Sequence, residues 1–203
     1  MRSIYIGGDS FCYYRKSGDW PAILANKLNL KLTGCGFPGD SWWHTRQHLL
    51  QYLATKKSIK TELFVFCHTD PYRFLTSQIF FQNPDALAIK NQYLKYFLDY
   101  DIGEWTTKHW YLELNELLKN RQVIHLQCFS SSQTIFPLLS GCRIVTPLVE
   151  LSLKDNETID EWRMPGPHED VRRNHFNPAQ QQSLAQKIVD CLGSDANDFK
   201  ISL

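Results

Sequence analysis

The chain has 203 residues, 43% of them hydrophobic and 21% charged, which suits one globular domain with a sizeable core and argues against a disordered, collagen-like or coiled-coil chain. Lysine and arginine total 22 against 21 aspartate and glutamate, a formal charge of +1, so no basic field exists to hold a nucleic-acid backbone or an anionic bilayer. No apolar run approaches the roughly 20 residues of a membrane span, and Met1-Arg2-Ser3-Ile4-Tyr5-Ile6 enters a strand-like segment rather than an apolar leader, so a soluble, cytoplasmic protein is expected.

A short apolar run, a glycine- or aspartate-rich turn and a helix-length amphipathic stretch recur along the chain, the pattern of an α/β fold with a parallel sheet. In chain order the expected elements are a strand at 3–7, a helix at 19–28, a strand at 30–35, a helix at 41–54 and a strand at 62–68. Helices at 84–97 and 104–120, strands at 122–129 and 143–146, and a final helix at 178–192 complete the series. Leu63-Phe64-Val65-Phe66-Cys67 is apolar on both alternating sets, so that strand should be central, with helices on both faces of the sheet. Asn177 suits an N-cap, Pro178 the first turn and Gly193 the position after the end, while Leu184, Ile188 and Cys191 fall on one helical face. No repeat or linker divides the chain, so 1–203 reads as a single domain, with a helical excursion around 71–121. The six cysteines are dispersed without a C-x-x-C pair and read as free thiols.

In an open parallel sheet, ligands bind outside the carboxyl ends of the strands. Four segments there carry chemistry: Gly7-Gly8-Asp9-Ser10, Gly36-Phe37-Pro38-Gly39-Asp40-Ser41, Cys67-His68-Thr69-Asp70, and Arg172-Arg173-Asn174-His175 before the final helix. Ser10, on a tight turn just past a strand, would face a cleft beside main-chain N–H groups able to stabilise negative charge. The plainer reading of Asp9 and Ser10 is a helix cap.

A strand followed by Gly8-Asp9-Ser10 within the first dozen residues, and a histidine just before the last helix, resemble the SGNH (GDSL-type) hydrolases over nearly the whole chain. The resemblance implies a three-layer α/β/α sandwich with a five-stranded parallel sheet of flavodoxin-like type. It implies Ser10 as nucleophile, His175 as general base, and oxyanion-hole N–H groups from Ser10 and Gly39. Thr69 stands where the family's third block has an oxyanion-hole asparagine, and its shorter hydroxyl can donate one hydrogen bond. Arg172 stands where the family has the triad aspartate, three residues before the histidine, which leaves Asp170 as the nearest carboxylate to orient His175, with Glu169 behind it and a backbone carbonyl as a further alternative. Asp9, His68, Asp70, Trp42 and Trp43 are further cleft candidates, His68 as a substitute donor or a structural hydrogen bonder, and the tryptophans as pocket wall or core.

The implied reaction is hydrolysis of a carboxylic ester, a small-molecule or glycan ester such as a carbohydrate acetyl ester, through an acyl-enzyme and without metal or organic cofactor. The alternative is a non-hydrolytic binding or structural module on the same sandwich, and neither reading involves nucleic acid or a membrane span. His44 and His48 have the i, i+4 spacing of a metal pair but lack the glutamate of H-E-x-x-H and a third ligand. Asp40 and Ser41 read as helix caps, and the acidic stretch from Glu150 to Glu161 as a solvated loop.

Overall fold

The computed structural model describes residues 2–14, 17–37, 40–55, 58–69, 100–128, 135–144, 146, 148, 176–192 and 198–199. Strands β1 (Ser3–Gly8), β2 (Lys31–Thr33), β3 (Thr61–His68), β4 (Gln122–Gln127), β5 (Cys142–Ile144) and β6 (Asp198–Phe199) pair in the order β2-β1-β3-β4-β5-β6. Every pairing is parallel. The five expected strands are thus present, and β6, two residues long, extends the β5 edge. The described helices are α1 (Trp20–Lys27), α2 (Trp42–Leu53), α3 (Tyr100–Leu118) and α4 (Pro178–Leu192). The expected helix at 84–97 lies outside the described residues, as does the stretch 150–161.

Side-chain alternation sorts the core into two layers. Ile4, Ile6, Leu63, Val65, Cys67, Ile124 and Leu126 pack with Trp20 and Leu24 of α1 and Leu184 and Ile188 of α4. Tyr5, Phe64, Phe66 and Val123 pack on the opposite face with Leu49 of α2 and Trp110, Tyr111 and Leu114 of α3. The result is a three-layer α/β/α sandwich in which β3 is buried on both faces. The strand order reverses between β1 and β3, and crevices for ligands form at such switch points.

The helix ends follow local chemistry. Asn177 caps α4 in a reciprocal box, its Oδ1 accepting from Gln180 N at 3.0 Å while Gln180 Oε1 accepts from Asn177 N at 2.8 Å. Gln181, one turn into α4, accepts from Trp20 N at 2.7 Å and ties α4 to the start of α1. All six cysteines are free. Among the described residues no helix is long and apolar enough to cross a membrane.

Candidate active site

β1 ends at Gly8, whose φ of +147° suits glycine, and whose absent side chain lets the backbone pass close to Cys67 of β3. Asp9 follows, fully buried, and its carboxylate accepts from Phe11 N at 3.0 Å, capping a 3-10 turn that runs from Ser10 to Cys12. The Cys128 thiol, at the end of β4, points to the same carboxylate at 3.7 Å, and Cys12 Sγ donates to Asp9 O at 3.4 Å. From α1, Trp20 Nε1 donates to Phe11 O at 2.7 Å. Ser10 therefore sits on a short turn anchored from below by several elements. It is only partly buried.

The loop after β2 lies against this turn. Phe37 N donates to Gly8 O and Gly36 N to Cys12 O, each at 3.3 Å. A side chain on Gly36 would run into Asp9 O and Cys12 Sγ, so the approach needs glycine. Gly39 lies outside the described residues. Asp40 is not the cap expected from the sequence: its carboxylate lies between two histidines of α2, with His44 Nδ1 3.7 Å from one oxygen and His48 Nδ1 3.5 Å from the other. Ser41 does hold the N-cap position, but its hydroxyl makes no capping bond and instead lies 3.4 Å from His44 Nδ1. Burial, reinforced by the negative charge of Asp9, pushes Asp40 up to about 7. Burial lowers His48, with His44 adding to the effect. Among the described residues no group of three or more histidine, cysteine or acidic side chains is arranged to hold a metal ion.

At the end of β3, His68 is buried and its Nε2 lies 3.0 Å from Nδ1 of His125 on β4. His125 Nε2 in turn lies 3.0 Å from Ser140 O. A carbonyl only accepts, so His125 carries its proton on Nε2, its Nδ1 accepts, and His68 must donate from Nε2. Burial lowers both rings, His125 to about 3. His68 is thereby the structural hydrogen bonder among the two roles the sequence allowed, with Nδ1 left as an acceptor. The pair was missed in the sequence because its members stand 57 positions apart; the one available signal is that both occupy the same alternating set of neighbouring strands.

Thr69 follows directly, 7% exposed, its hydroxyl without a hydrogen-bond partner among the described residues. Register pairs Gly8 with Cys67, so Ser10 and Thr69 each come two residues after the last pair, past the carboxyl ends of neighbouring strands. Trp42 packs partly buried against the α2 side of the core, whereas Trp43 is exposed and carries Arg46 over its ring at 5.3 Å. Asp70, Asp170, Arg172, Arg173 and His175 lie outside the described residues. Phe176, next after His175 in sequence, is buried and packs its ring on that of Phe11, next after Ser10, at 5.5 Å between centroids.

A parallel sheet with this strand order, flanked by helices on both faces and carrying Gly8-Asp9-Ser10 at its switch point, has the fold of the GDSL-type hydrolases. Among solved structures the chain is similar to a protein of Parabacteroides merdae assigned as a GDSL-like lipase, with a TM-score of 0.57 at 11% identity over 95% of each chain. A protein of the lipolytic G-D-S-L family from Desulfitobacterium hafniense aligns with a TM-score of 0.52 at 11% identity, over 94% of this chain and 99% of that one. A carbohydrate esterase family 2 enzyme with a carbohydrate-binding domain from Corynascus thermopiles (Myceliophthora fergusii) gives 0.49 at 12% identity, over 95% of this chain and 67% of that one. No protein-family model matches the sequence, and no curated protein does.

Proposed function

We propose that the chain is a serine ester hydrolase of the SGNH type, with Ser10 as nucleophile and His175 as general base, oriented by Asp170. Ser10 Oγ attacks the ester carbonyl as His175 takes its proton; the oxyanion is held by the N–H groups of Ser10 and Gly39 and by the Thr69 hydroxyl. The tetrahedral adduct expels the alcohol, protonated by His175, and water activated by the same ring releases the acid. The substrate is a small-molecule or glycan ester with a short acyl group, and the reaction needs no cofactor.

One observation carries the reading: the ring of Phe11, next in sequence to Ser10, packs on that of Phe176, next in sequence to His175, across 165 positions of the chain. The partly exposed position of Ser10 and the likeness in fold to GDSL-type proteins support it. The test is covalent labelling with a fluorophosphonate, which reports an activated serine independently of substrate choice. Labelling of the wild type at Ser10, and its loss together with p-nitrophenyl ester turnover in a folded Ser10→Ala variant, is the expected result. Turnover that survives Ser10→Ala, or no adduct on the folded wild type, would overturn the assignment.

A further inference from the structure

Among the described residues, neither Thr69 Oγ1, past the end of β3, nor Thr107 Oγ1, in the middle of α3, has a hydrogen-bond partner, and both are buried. Thr107 is 1% exposed. Both residues line one small cavity walled also by Trp42, His68, Trp110 and Tyr111. A helical threonine normally turns its hydroxyl to the preceding turn, and its neighbours do so. Thr45, in the same wall, donates to Ser41 O at 3.2 Å, and Thr106 donates to Ile102 O at 2.8 Å. Thr107 forgoes that bond. A buried hydroxyl left unbonded is costly, and a group that enters the cavity completes it.

The cavity offers about 10 Å³ to the centre of a water-sized sphere, room for one such group. Thr69 belongs both to its wall and to the carboxyl end of β3, the strand paired with β1, which Ser10 follows. Resting on the esterase reading, we infer that this cavity is an acyl subsite selecting a short acyl group that ends in a hydroxyl, glycolyl being the simplest, over an alkyl acyl group of equal length. With the carbonyl carbon on Ser10, the methylene spans the mouth and the terminal hydroxyl enters. Thr107 donates to that oxygen, the acyl hydroxyl donates to Thr69 Oγ1, and Thr69 donates to the oxyanion, so the acyl hydroxyl and Thr69 each accept and donate while Thr107 donates. Ester and water give glycolate and the alcohol, with no other reactant. Propionyl has the same number of heavy atoms, but its methyl leaves both threonines unbonded, and sites built to bond a hydroxyl discriminate strongly against analogues without one.

The experiment measures kcat/KM for p-nitrophenyl glycolate and p-nitrophenyl propionate, each divided by its rate of hydroxide hydrolysis to remove intrinsic reactivity. The wild type is expected to favour glycolate by about tenfold or more. Thr107→Val, equal in shape, should reduce that ratio at least about tenfold, and Thr107→Ser should keep it. A corrected ratio near one, a preference untouched by Thr107→Val, or a wild type that labels at Ser10 yet turns over neither ester overturns the subsite alone. Absence of both labelling and turnover in the folded wild type removes the esterase reading and the subsite with it.

Discussion

A methyl group at Gly36 tests directly how the serine turn is held. Its ideal position overlaps Asp9 O and Cys12 Sγ and lies 2.8 Å from Gly8 O. Two of these three atoms are main-chain oxygens, which cannot rotate away as a side chain would. Gly36→Ala must therefore push the loop after β2 off the turn, straining or breaking the 3.3 Å bonds from Gly36 N to Cys12 O and from Phe37 N to Gly8 O. Overpacking costs about 1–3 kcal/mol and each hydrogen bond about 0.5–1.5 kcal/mol, which sums to about 2–6 kcal/mol. For a chain of this size even the low end lowers the melting temperature by roughly 4–8 °C. Gly18 is the control, since nothing lies within 4 Å of a methyl group there, and Gly18→Ala should change stability by no more than about 0.5 kcal/mol. Urea and thermal unfolding of the two variants make the comparison, and the folded fraction of Gly36→Ala should react more slowly with fluorophosphonate, because the displaced oxygen belongs to the residue before Ser10. A Gly36→Ala variant as stable and as reactive as the control would refute the account of the loop as a buttress.

Three further outcomes are expected. Trp20→Phe removes the fully buried indole that donates to Phe11 O, so it should cost about 2–3 kcal/mol by urea unfolding, and a loss below about 1 kcal/mol would show that the anchor carries little. Asp40, raised from 3.8 to about 7 among Asp9, Tyr5, Cys35, His44 and His48, binds a proton in the folded chain that the unfolded chain has lost, so wild-type stability falls as pH rises through that window. Asp40→Asn should therefore gain stability over the wild type between about pH 4.5 and about pH 8, and a difference that stays flat with pH contradicts the burial argument. His68 and His125 are lowered from 6.5, His125 to about 3, so their contribution is complete above 6.5 and is lost as pH falls below it; their ring signals in NMR should not titrate between about pH 5 and about pH 8, and a midpoint in that range would disprove the buried neutral pair.

The sheet was readable where burial is two-sided. In β3 both alternating sets are apolar because Leu63, Val65 and Cys67 meet α1 and α4 while Phe64 and Phe66 meet α2 and α3. The edges were harder. The strand expected at 30–35 pairs only over Lys31–Thr33, where β2 has a neighbour on one side and Gly34, with φ of +71°, turns the chain away. β6 has two residues, too few for any periodicity. The helix expected from 104 begins at Tyr100, because Gly103 falls in its first turn, where a glycine costs little of the packed face.

The site divides along another line, between chemistry set by neighbours in sequence and chemistry set by distant ones. Gly8-Asp9-Ser10 is a local motif, whereas the partner of Asp40 depends on where the turn stops: had the helix started one residue earlier, Asp40 would cap it, but its carboxylate faces His44 and His48 instead. A 3-10 turn of three residues has too few internal bonds to hold a fixed geometry by itself. Its position is set by Cys128 beyond β4, by Gly36 beyond β2, by Trp20 on α1 and by Phe176 ahead of α4. A cap that served only to end a strand would need none of these four. The proposed role of Ser10, an oxygen that must meet a carbonyl at one place, calls for a rigid support, and such support has to come from residues scattered through the sequence.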